Sequence, residues 1–326
     1  MGAAADQAMQ QFGAQVMLKH LSALEKEIPG VRRARDMECI HRMRVASRRL
    51  RSALVLFAPC LPKKPLRAWR GEVRAITRAL GAARDLDVQL DLLRRFYQGL
   101  DDAALRPGVR RLILRRTQTR RAAQQGVLAA MDGLAAASLL VDLRTTLTPC
   151  LPPPGAPLPT SPALLEHASR QITFRLDDLL VLEPCLQHPE QTLELHAMRI
   201  AAKRLRYTLE AFAPLHAPAF TPVIAALREL QDSLGDIHDC DVWLASLPGF
   251  MEEERTLVER YFGSARPFKR LQPGLDHFAA SRAEMRGLEF AALNQRWQEL
   301  AAAGLWTGLR QIIQVLPAHD PHSPDL

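Results

Sequence analysis

The chain has 326 residues, of which 48% are hydrophobic and 24% are charged, a composition typical of a folded globular protein and not of a disordered one. Its formal net charge of +8 indicates an anionic partner. No stretch reaches the ~18 uncharged apolar residues that a membrane span needs, so we expect no membrane insertion. The N-terminus does not resemble a secretory signal and the five cysteines show no paired spacing, which predicts a cytoplasmic protein with reduced thiols.

The sequence predicts α-helices along its length and no strand. Ala, Leu and Arg are abundant, and Pro and Gly stand mostly where helices are expected to end. The predicted helices span residues 6–28, 37–58, 65–81, 84–98, 107–135, 162–182, 190–212, 218–235, 239–247 and 275–302.

A proline-rich segment divides the chain into two parts of similar length. Residues 149–162 contain seven prolines in fourteen positions, which no helix or sheet accommodates in its interior. We therefore expect a first helical bundle over residues 1–148, a linker over 149–162, a second bundle over 163–316 and a disordered tail over 317–326.

The two parts carry an internal repeat. The segment HRMRVASRRLRSALVLFAP, which starts at His41, aligns with HAMRIAAKRLRYTLEAFAP, which starts at His196, with eleven of nineteen positions identical. LGAARDLDV from Leu80 and LGDIHDCDV from Leu234 match in the same order. This order of motifs predicts a duplication. About four antiparallel helices in each part would then form two four-helix bundles related by a pseudo-twofold axis around a basic cleft.

The repeated helix predicts an anion-binding face. At ~100° per residue, the basic residues and one histidine of each copy form a stripe opposite an apolar stripe. Neither His41–Arg51 nor His196–Arg206 contains an acidic residue, so the like charges repel unless a ligand supplies anions. A solvated basic surface without a ligand is the alternative. The stripe residues are His41, Arg44, Arg48, Arg51, His196, Arg199, Lys203 and Arg206, with Arg49 and Arg204 at the flanks. The opposite, core-facing residues are Met43, Ala46, Leu50, Leu54 and Phe57, and Met198, Ala201, Leu205, Leu209 and Phe212.

Four further arginines are candidates for the same site. Arg74 and Arg228 occupy equivalent places before the glycine of each LG motif. Arg111 and Arg115 are one plausible pair within a basic run at 110–121 that has no counterpart in the second part of the chain.

The Gly-x-x-x-Asp-x-Asp motif predicts a helix end at each glycine and a new helix with Asp85 or Asp239 as its N-cap. A salt bridge that orients a basic side chain is the other expected role. Residues i and i+2 do not share a helix face, so the sequence gives little support to a catalytic pair of carboxylates.

The histidines of the stripes have several possible roles. His41 and His196 are candidates for anion binding, metal ligation or catalysis, but only arginine and lysine stand near them, and these repel a cation. We therefore expect no metal and no cofactor. The isolated histidines His167, His188, His319 and His322 are predicted to lie mostly at the surface.

These motifs resemble the CHAD family, the conserved-histidine α-helical domain. The resemblance rests on HxxRVxxRRLRxxLxxF, LGxxRDxDV, HxxRIxxKRLRYxLExF and LxxLQDxLGxxxDxxV, and covers about residues 8–300. It implies two four-helix bundles around a basic, histidine-lined cleft that binds inorganic polyphosphate through the eight stripe residues, and association with polyphosphate granules. The second copy has His238 where the first has Arg84, which leaves the role of His238 open. No ExExK strand of a triphosphate tunnel domain occurs, so we expect a stand-alone member.

The residues and the resemblance together predict non-catalytic binding of polyphosphate. Guanidinium groups suit its regularly spaced phosphates, and binding releases condensed counterions. Nucleic acid, RNA in particular, is the main alternative, but single-strand binders usually add aromatic platforms, and only Tyr207 lies near either stripe. A metal-dependent phosphohydrolase would need a carboxylate cluster or a P-loop, and the sequence has neither. A scaffold for an acidic protein is the remaining alternative.

Overall fold

The structure, a computed structural model, describes residues 6–33 and 37–315. Within these ranges the protein is helical and has no strand, which confirms the predicted all-α class. The predicted tail at 317–326 lies outside the described residues. The first part of the chain forms α1 (Gln7–Arg33), α2 (Met37–Leu56), α3 (Lys63–Gln98), α4 (Arg106–Ala136) and α5 (Leu139–Leu147). The second forms α6 (Pro162–Leu180), α7 (Thr192–Phe262), α8 (Gln272–Ala302) and α9 (Leu305–Val315). Short 3₁₀ turns cover Ala58–Cys60, Thr148–Cys150, Glu183–Gln187 and Arg266–Arg270.

The two parts follow the same course. α2 packs on α1 and α3, and α3 packs on α4; in the second part α7 packs on both α6 and α8. α7 bends at His216, where φ is −158° and ψ is 47°, between Pro214 and Pro218. Its two arms therefore repeat the α2–turn–α3 unit, and the non-helical stretch from Leu151 to Ser161 joins the two parts.

The predicted breaks at the LG motifs are wrong. α3 continues through Gly81 and α7 continues through Gly235, so Asp85 and Asp239 lie in helix interiors and are not N-caps. A glycine inside a helix costs about 1 kcal/mol relative to alanine, and the packing of two long helices outweighs that local preference.

The apolar stripe of each repeated helix faces the core, as predicted. All ten stripe residues are buried, with at most 5% of their surface exposed. The basic stripe of each helix is consequently held on the opposite side, away from the core.

Four aromatic rings join the two parts of the chain in the main hydrophobic core. Phe57 and Phe212, which hold the same position in the two copies of the repeated helix, pack edge to face with ring centroids 5.6 Å apart. Phe12 stacks on Phe212 with centroids 6.1 Å apart, and His167 meets the same ring edge-on at 6.1 Å. Because these rings come from both parts, α2 and α7 are fixed side by side.

The prediction that His167 lies at the surface is wrong. The side chain is buried, and its Nε2 lies 2.9 Å from the backbone carbonyl oxygen of Leu56. His188 is exposed, as predicted, and its Nδ1 lies 3.2 Å from a carboxylate oxygen of Glu190. His319 and His322 lie outside the described residues.

A second hydrophobic core lies where the α3–α4 and α7–α8 hairpins meet. It includes Leu93, Leu112, Trp243, Leu275 and Phe278, and Trp243 packs edge-on against Phe278 with centroids 5.1 Å apart. This core holds the C-terminal parts of α3 and α7 together. The two hydrophobic cores therefore both fix the helices on the side of the molecule that carries the basic stripes.

Over the described ranges, no single helix has both the length and the apolar composition needed to cross a membrane. By length and composition alone, one bent pair, Arg106–Ala136 with Leu139–Cys150, passes that test.

Candidate anion-binding site

The basic stripes of α2 and α7 meet on one surface. His41 and Arg44 of α2 line a cleft of about 640 Å³ together with Arg199 of α7, and the cleft continues along α3 and the second arm of α7. Arg48 and Lys203 follow one turn further along their helices, and each lies within the electrostatic reach of Arg44 and Arg199. We call this surface the basic groove; its residues are His41, Arg44, Arg48, His196, Arg199 and Lys203.

Glycines of the LG motifs lie beneath two groove arginines. A Cβ atom at Gly81 would lie 3.7 Å from Nε of Arg44, and one at Gly235 would lie 3.9 Å from Nε of Arg199. Each guanidinium therefore lies over the glycine of its own half. The two motifs that repeat in the sequence contact each other in each half of the structure.

Three central basic side chains of the groove have no carboxylate oxygen within 4 Å in the described structure, although the charge of Arg199 does act on Asp239 in the same cleft. Within residues 6–33 and 37–315, Arg48, Arg199 and Lys203 make no ion pair. Burial and, to a smaller extent, the surrounding arginines together lower the pKa of Lys203 to about 6. Burial also lowers the pKa of Arg48 to about 10, with Arg44 and Arg199 adding to the effect. Charging all three side chains at once is therefore electrostatically costly, and an anionic ligand would offset that cost.

Tyr207 supports the groove from below. Its side chain is largely buried, and the guanidinium carbons of Arg48 and Arg206 lie over its ring at 5.6 and 5.1 Å from the centroid. Because one arginine comes from each copy of the repeated helix, this cation–π contact links the two stripes.

His238 pairs with a groove histidine. Its Nδ1 lies 3.1 Å from Nδ1 of His196, with ring centroids 4.4 Å apart. One Nδ1 must donate and the other accept, so at least one of the two rings is neutral. Burial lowers the pKa of His238 to about 4, with a further contribution from Arg199, and burial also lowers the pKa of His196. His238 therefore orients His196, a role that the sequence left open.

His41 lies at the corresponding place in the first half. Burial lowers its pKa, and the positive charge of Arg84, the counterpart of His238, acts in the same direction. Both groove histidines are therefore held toward the neutral form by burial and by adjacent cations.

Carboxylates of the repeated motif orient basic side chains, which agrees with the salt bridge expected from the sequence. Asp85 accepts a hydrogen bond from Arg44 at 3.4 Å. The second aspartate of each motif anchors the next helix: buried Asp87 accepts from Arg120 of α4 at 2.6 Å, and Asp241 accepts from Arg286 of α8.

Acidic residues also line the groove at its histidine end. Asp85, Asp232, Asp236 and Asp239 border the 640 Å³ cleft. Burial raises the pKa of Asp239 and of Asp236. The histidine end is therefore of mixed charge, whereas Arg48 and Lys203 lie outside this acidic lining.

Three predicted candidates share one carboxylate that sequence reasoning did not connect to them. Glu210 accepts hydrogen bonds from Arg49 at 2.9 Å and Arg206 at 3.2 Å, and Arg228 lies 3.5 Å from the same carboxylate. One carboxylate thus serves three arginines and offsets part of their charge within the protein. The expectation that the second stripe has no acidic partner therefore does not hold for Arg206.

The remaining candidates lie in two other places. Arg51, Arg74 and Arg204 line a neighbouring cleft at the end of the groove. Arg111 and Arg115 instead contact the buried carboxylate of Glu254, the former at 3.5 Å. The structure does not bring this last pair to the groove. The sequence alone could not show which of these arginines are paired with carboxylates, because the partner acids come from distant helices.

Side chains able to hold a metal are not gathered here or elsewhere in the part of the chain that the structure describes. No group of three or more His, Cys, Asp or Glu side chains in that part is placed to ligate an ion.

Comparisons with known proteins agree with the motifs. The family model of the CHAD domain matches residues 15–248. The crystal structure of the CHAD domain from the plant Ricinus communis is similar, with 25% identity, a TM-score of 0.57 and coverage of 94% of this chain and 93% of that one. PptA from Streptomyces chartreusis shares the fold, with 18% identity, a TM-score of 0.58 and coverage of 89% and 99%. No curated protein sequence matches the chain. The family match covers more than two thirds of the residues, and the chain belongs to the CHAD domain family.

Proposed function

We propose that this protein binds inorganic polyphosphate in the basic groove without hydrolysing it. The observation that carries the proposal is the convergence of Arg48, Arg199 and Lys203, from both copies of the repeated helix, with no carboxylate paired to any of them in the described structure. The resemblance of the motifs to the CHAD family implies the same ligand.

Phosphate chemistry fits these side chains. A guanidinium presents a planar fork of N–H donors to phosphate oxygens, and an ammonium acts as a compact charge. Burial and the neighbouring arginines lower the pKa of Lys203 to about 6, and a bound anion would favour its ammonium form. A chain of linked phosphates supplies several such anions in a row along α2 and α7.

The groove favours polyphosphate over single-stranded nucleic acid. Base stacking needs an exposed aromatic face, typically contributing about 1–3 kcal/mol per base. Tyr207 is 8% exposed, and two arginines already lie over its ring. The groove therefore offers charge but no exposed aromatic platform.

Competition binding tests the proposal. Labelled long-chain polyphosphate should bind, and unlabelled polyphosphate should displace it at lower phosphate concentration than RNA or single-stranded DNA at the same salt. Arg44→Glu with Arg199→Glu should abolish binding, whereas Arg255→Glu with Arg260→Glu, an equal charge change at exposed α7 positions outside the groove, should change affinity little. Tighter binding of RNA would instead assign the groove to nucleic acid.

Absence of catalysis is tested separately. Polyphosphate, tripolyphosphate or ATP incubated with the protein and Mg²⁺ or Mn²⁺ should release no more phosphate than a no-protein control. Turnover that disappears in His41→Ala would contradict the binding-only proposal.

We further propose that polyphosphate binding places the protein on polyphosphate granules. A fluorescent fusion should colocalise with granules in a polyphosphate-accumulating bacterium and become diffuse when Arg44 and Arg199 are changed to Glu. The Arg255→Glu, Arg260→Glu fusion is the control, and granule association of both variants would show that another surface targets the protein.

A further inference from the structure

The two halves of the repeat differ in charge at the equivalent positions 55 and 210. Glu210 in α7 aligns with Val55 in α2 at the repeat offset of 155. Glu210 binds Arg49, Arg206 and Arg228, as described above. In the first half, the counterparts of these arginines are Arg204, Arg51 and Arg74, and they line a cleft together with Val55.

The surface around Val55 is a cleft of about 650 Å³ at the end of the basic groove. None of its lining residues is acidic. We call it the arginine cleft; its basic residues are Arg51 of α2, Arg67, Arg70 and Arg74 of α3, Arg175 of α6 and Arg204 of α7. The three α3 arginines are spaced i, i+3 and i+7, so that they lie on one face of the helix.

Most of these arginines have no anionic partner. Arg175 pairs with Asp178 at 2.9 Å, whereas in the described structure the other five make no ion pair. Burial lowers the pKa of Arg51, and the charges of Arg74 and Arg204 act in the same direction. Four helices thus hold like charges together around an open space, which favours an anionic occupant.

The equivalent place in the second half is different. There a pocket of about 430 Å³ contains Arg49 and Arg228 together with Glu210, and His20 stands where the first cleft has Arg175. Burial lowers the pKa of His20 to about 4, with Arg49 adding to the effect, so this side chain is neutral near pH 7. Lys19 also lines this pocket, so three cations face one carboxylate and a neutral histidine, whereas the arginine cleft has six arginines and no acidic lining residue.

We propose that the arginine cleft is a second phosphate-binding site and that a polyphosphate chain leaves the basic groove through this cleft and not through the pocket beside Glu210. The inference rests on the proposed function and extends it to residues outside the repeated stripe, namely Arg67, Arg70 and Arg175. Arg51 connects the two sites because its charge acts on Arg48 within the groove.

The arrangement makes affinity depend on chain length. His41 and Arg51 are separated by about 15 Å along α2, from ~1.5 Å of rise per residue. A chain that occupies the groove and enters the cleft gains contacts that a tripolyphosphate held in the groove cannot make. Linked sites of this kind raise the affinity of the longer ligand specifically.

Exchanging the charges at positions 55 and 210 tests the proposal. Val55→Glu reproduces in the first half the carboxylate of the second, and should weaken binding of long-chain polyphosphate about tenfold while leaving tripolyphosphate affinity nearly unchanged. Val55→Gln is the control, because glutamine has nearly the shape of glutamate without its charge. This variant should bind like the unaltered protein. Glu210→Gln should strengthen long-chain binding, because it releases three arginines.

Arg67→Gln with Arg70→Gln gives a second test on exposed side chains that make no ion pair. This variant should keep the melting temperature and lose about tenfold in long-chain affinity. If both Val55→Glu and this variant fold and bind long chains with unaltered affinity, the arginine cleft is not a binding site, although the basic groove would still stand. Failure of the unaltered protein to bind any polyphosphate would instead overturn the proposed function.

Discussion

Gly108 and Gly274 begin α4 and α8 in equivalent ways, and each lies directly against the backbone of the residue that precedes the other helix. A Cβ atom at Gly108 would overlap the carbonyl oxygen of Leu271, and one at Gly274 would overlap the carbonyl oxygen of Leu105. The sequence around them repeats as Leu-x-Pro-Gly. This reciprocal contact lets the two helices cross at van der Waals distance beside the second core.

Gly108→Ala should therefore destabilise the protein, because the added methyl group meets backbone atoms of Leu271 and Leu275 and no flexible side chain that can move away. Overpacking of this kind typically costs about 1–3 kcal/mol, and a backbone clash places this site at the upper end. Urea unfolding followed by circular dichroism gives the change in the free energy of unfolding.

Gly126→Ala in the same helix is the matched control. No atom lies within 4 Å of its added Cβ, so it should stabilise the protein by about 0.5–1 kcal/mol. Equal stability of the Gly108 and Gly126 variants would show that α4 and α8 do not cross at these glycines.

The sequence predicted the parts of the fold that depend on local periodicity. The apolar stripes of α2 and α7 were correctly predicted to face the core, because helical periodicity fixes the side of the helix on which each residue lies. The helices that pass through Gly81 and Gly235 were missed because packing between long helices, and not local propensity, decides continuity there.

The candidate site was predictable where it repeats and not where it depends on distant partners. Arg44, Arg48, Arg199 and Lys203 follow from the repeated stripe. Glu210 lies 161 residues from Arg49 along the chain, and no helical spacing indicates that they form an ion pair. For the same reason, Arg67, Arg70 and Arg175 gave no signal, since the arginine cleft is assembled from four helices.

The affinity for long polyphosphate should fall steeply with salt. Each phosphate contact releases condensed counterions, about 0.7 per contact for a flexible single strand. Four contacts would weaken binding about 50-fold between about 50 and about 200 mM salt. Titrations at several salt concentrations give the slope, and a flat dependence would contradict an electrostatic groove.

Binding should be tighter at lower pH, in part through Lys203. Its pKa is about 6 in the free protein because of burial and the neighbouring arginines. Bound phosphates favour the ammonium form and raise this pKa, so the protein takes up protons on binding above pH 6. Affinity should therefore decrease as pH rises from about 6 to about 8.

Lys203→Arg separates this contribution from that of the histidines. Arginine stays charged, so the variant should take up fewer protons at pH 7.5, with the remainder coming from the His196–His238 pair. Calorimetry in two buffers of different ionisation enthalpy measures the number of protons. Equal uptake by both proteins would show that Lys203 is already charged in the free groove.

The two copies of the repeated helix should act as one binding site. Arg44→Glu with Arg48→Glu removes the α2 contribution, and Arg199→Glu with Lys203→Glu removes the α7 contribution. These side chains converge on one surface, so either pair should reduce polyphosphate affinity to a similar degree. Both pairs point away from the core, so melting temperatures should change little. Arg44→Glu loses the exposed Arg44–Asp85 ion pair, which contributes about 0–1 kcal/mol, and the removal of repelling charges offsets that loss. Loss of binding in only one variant would mean that a single helix holds the ligand. Unfolding of both would mean that the stripes stabilise the fold and do not form a ligand site.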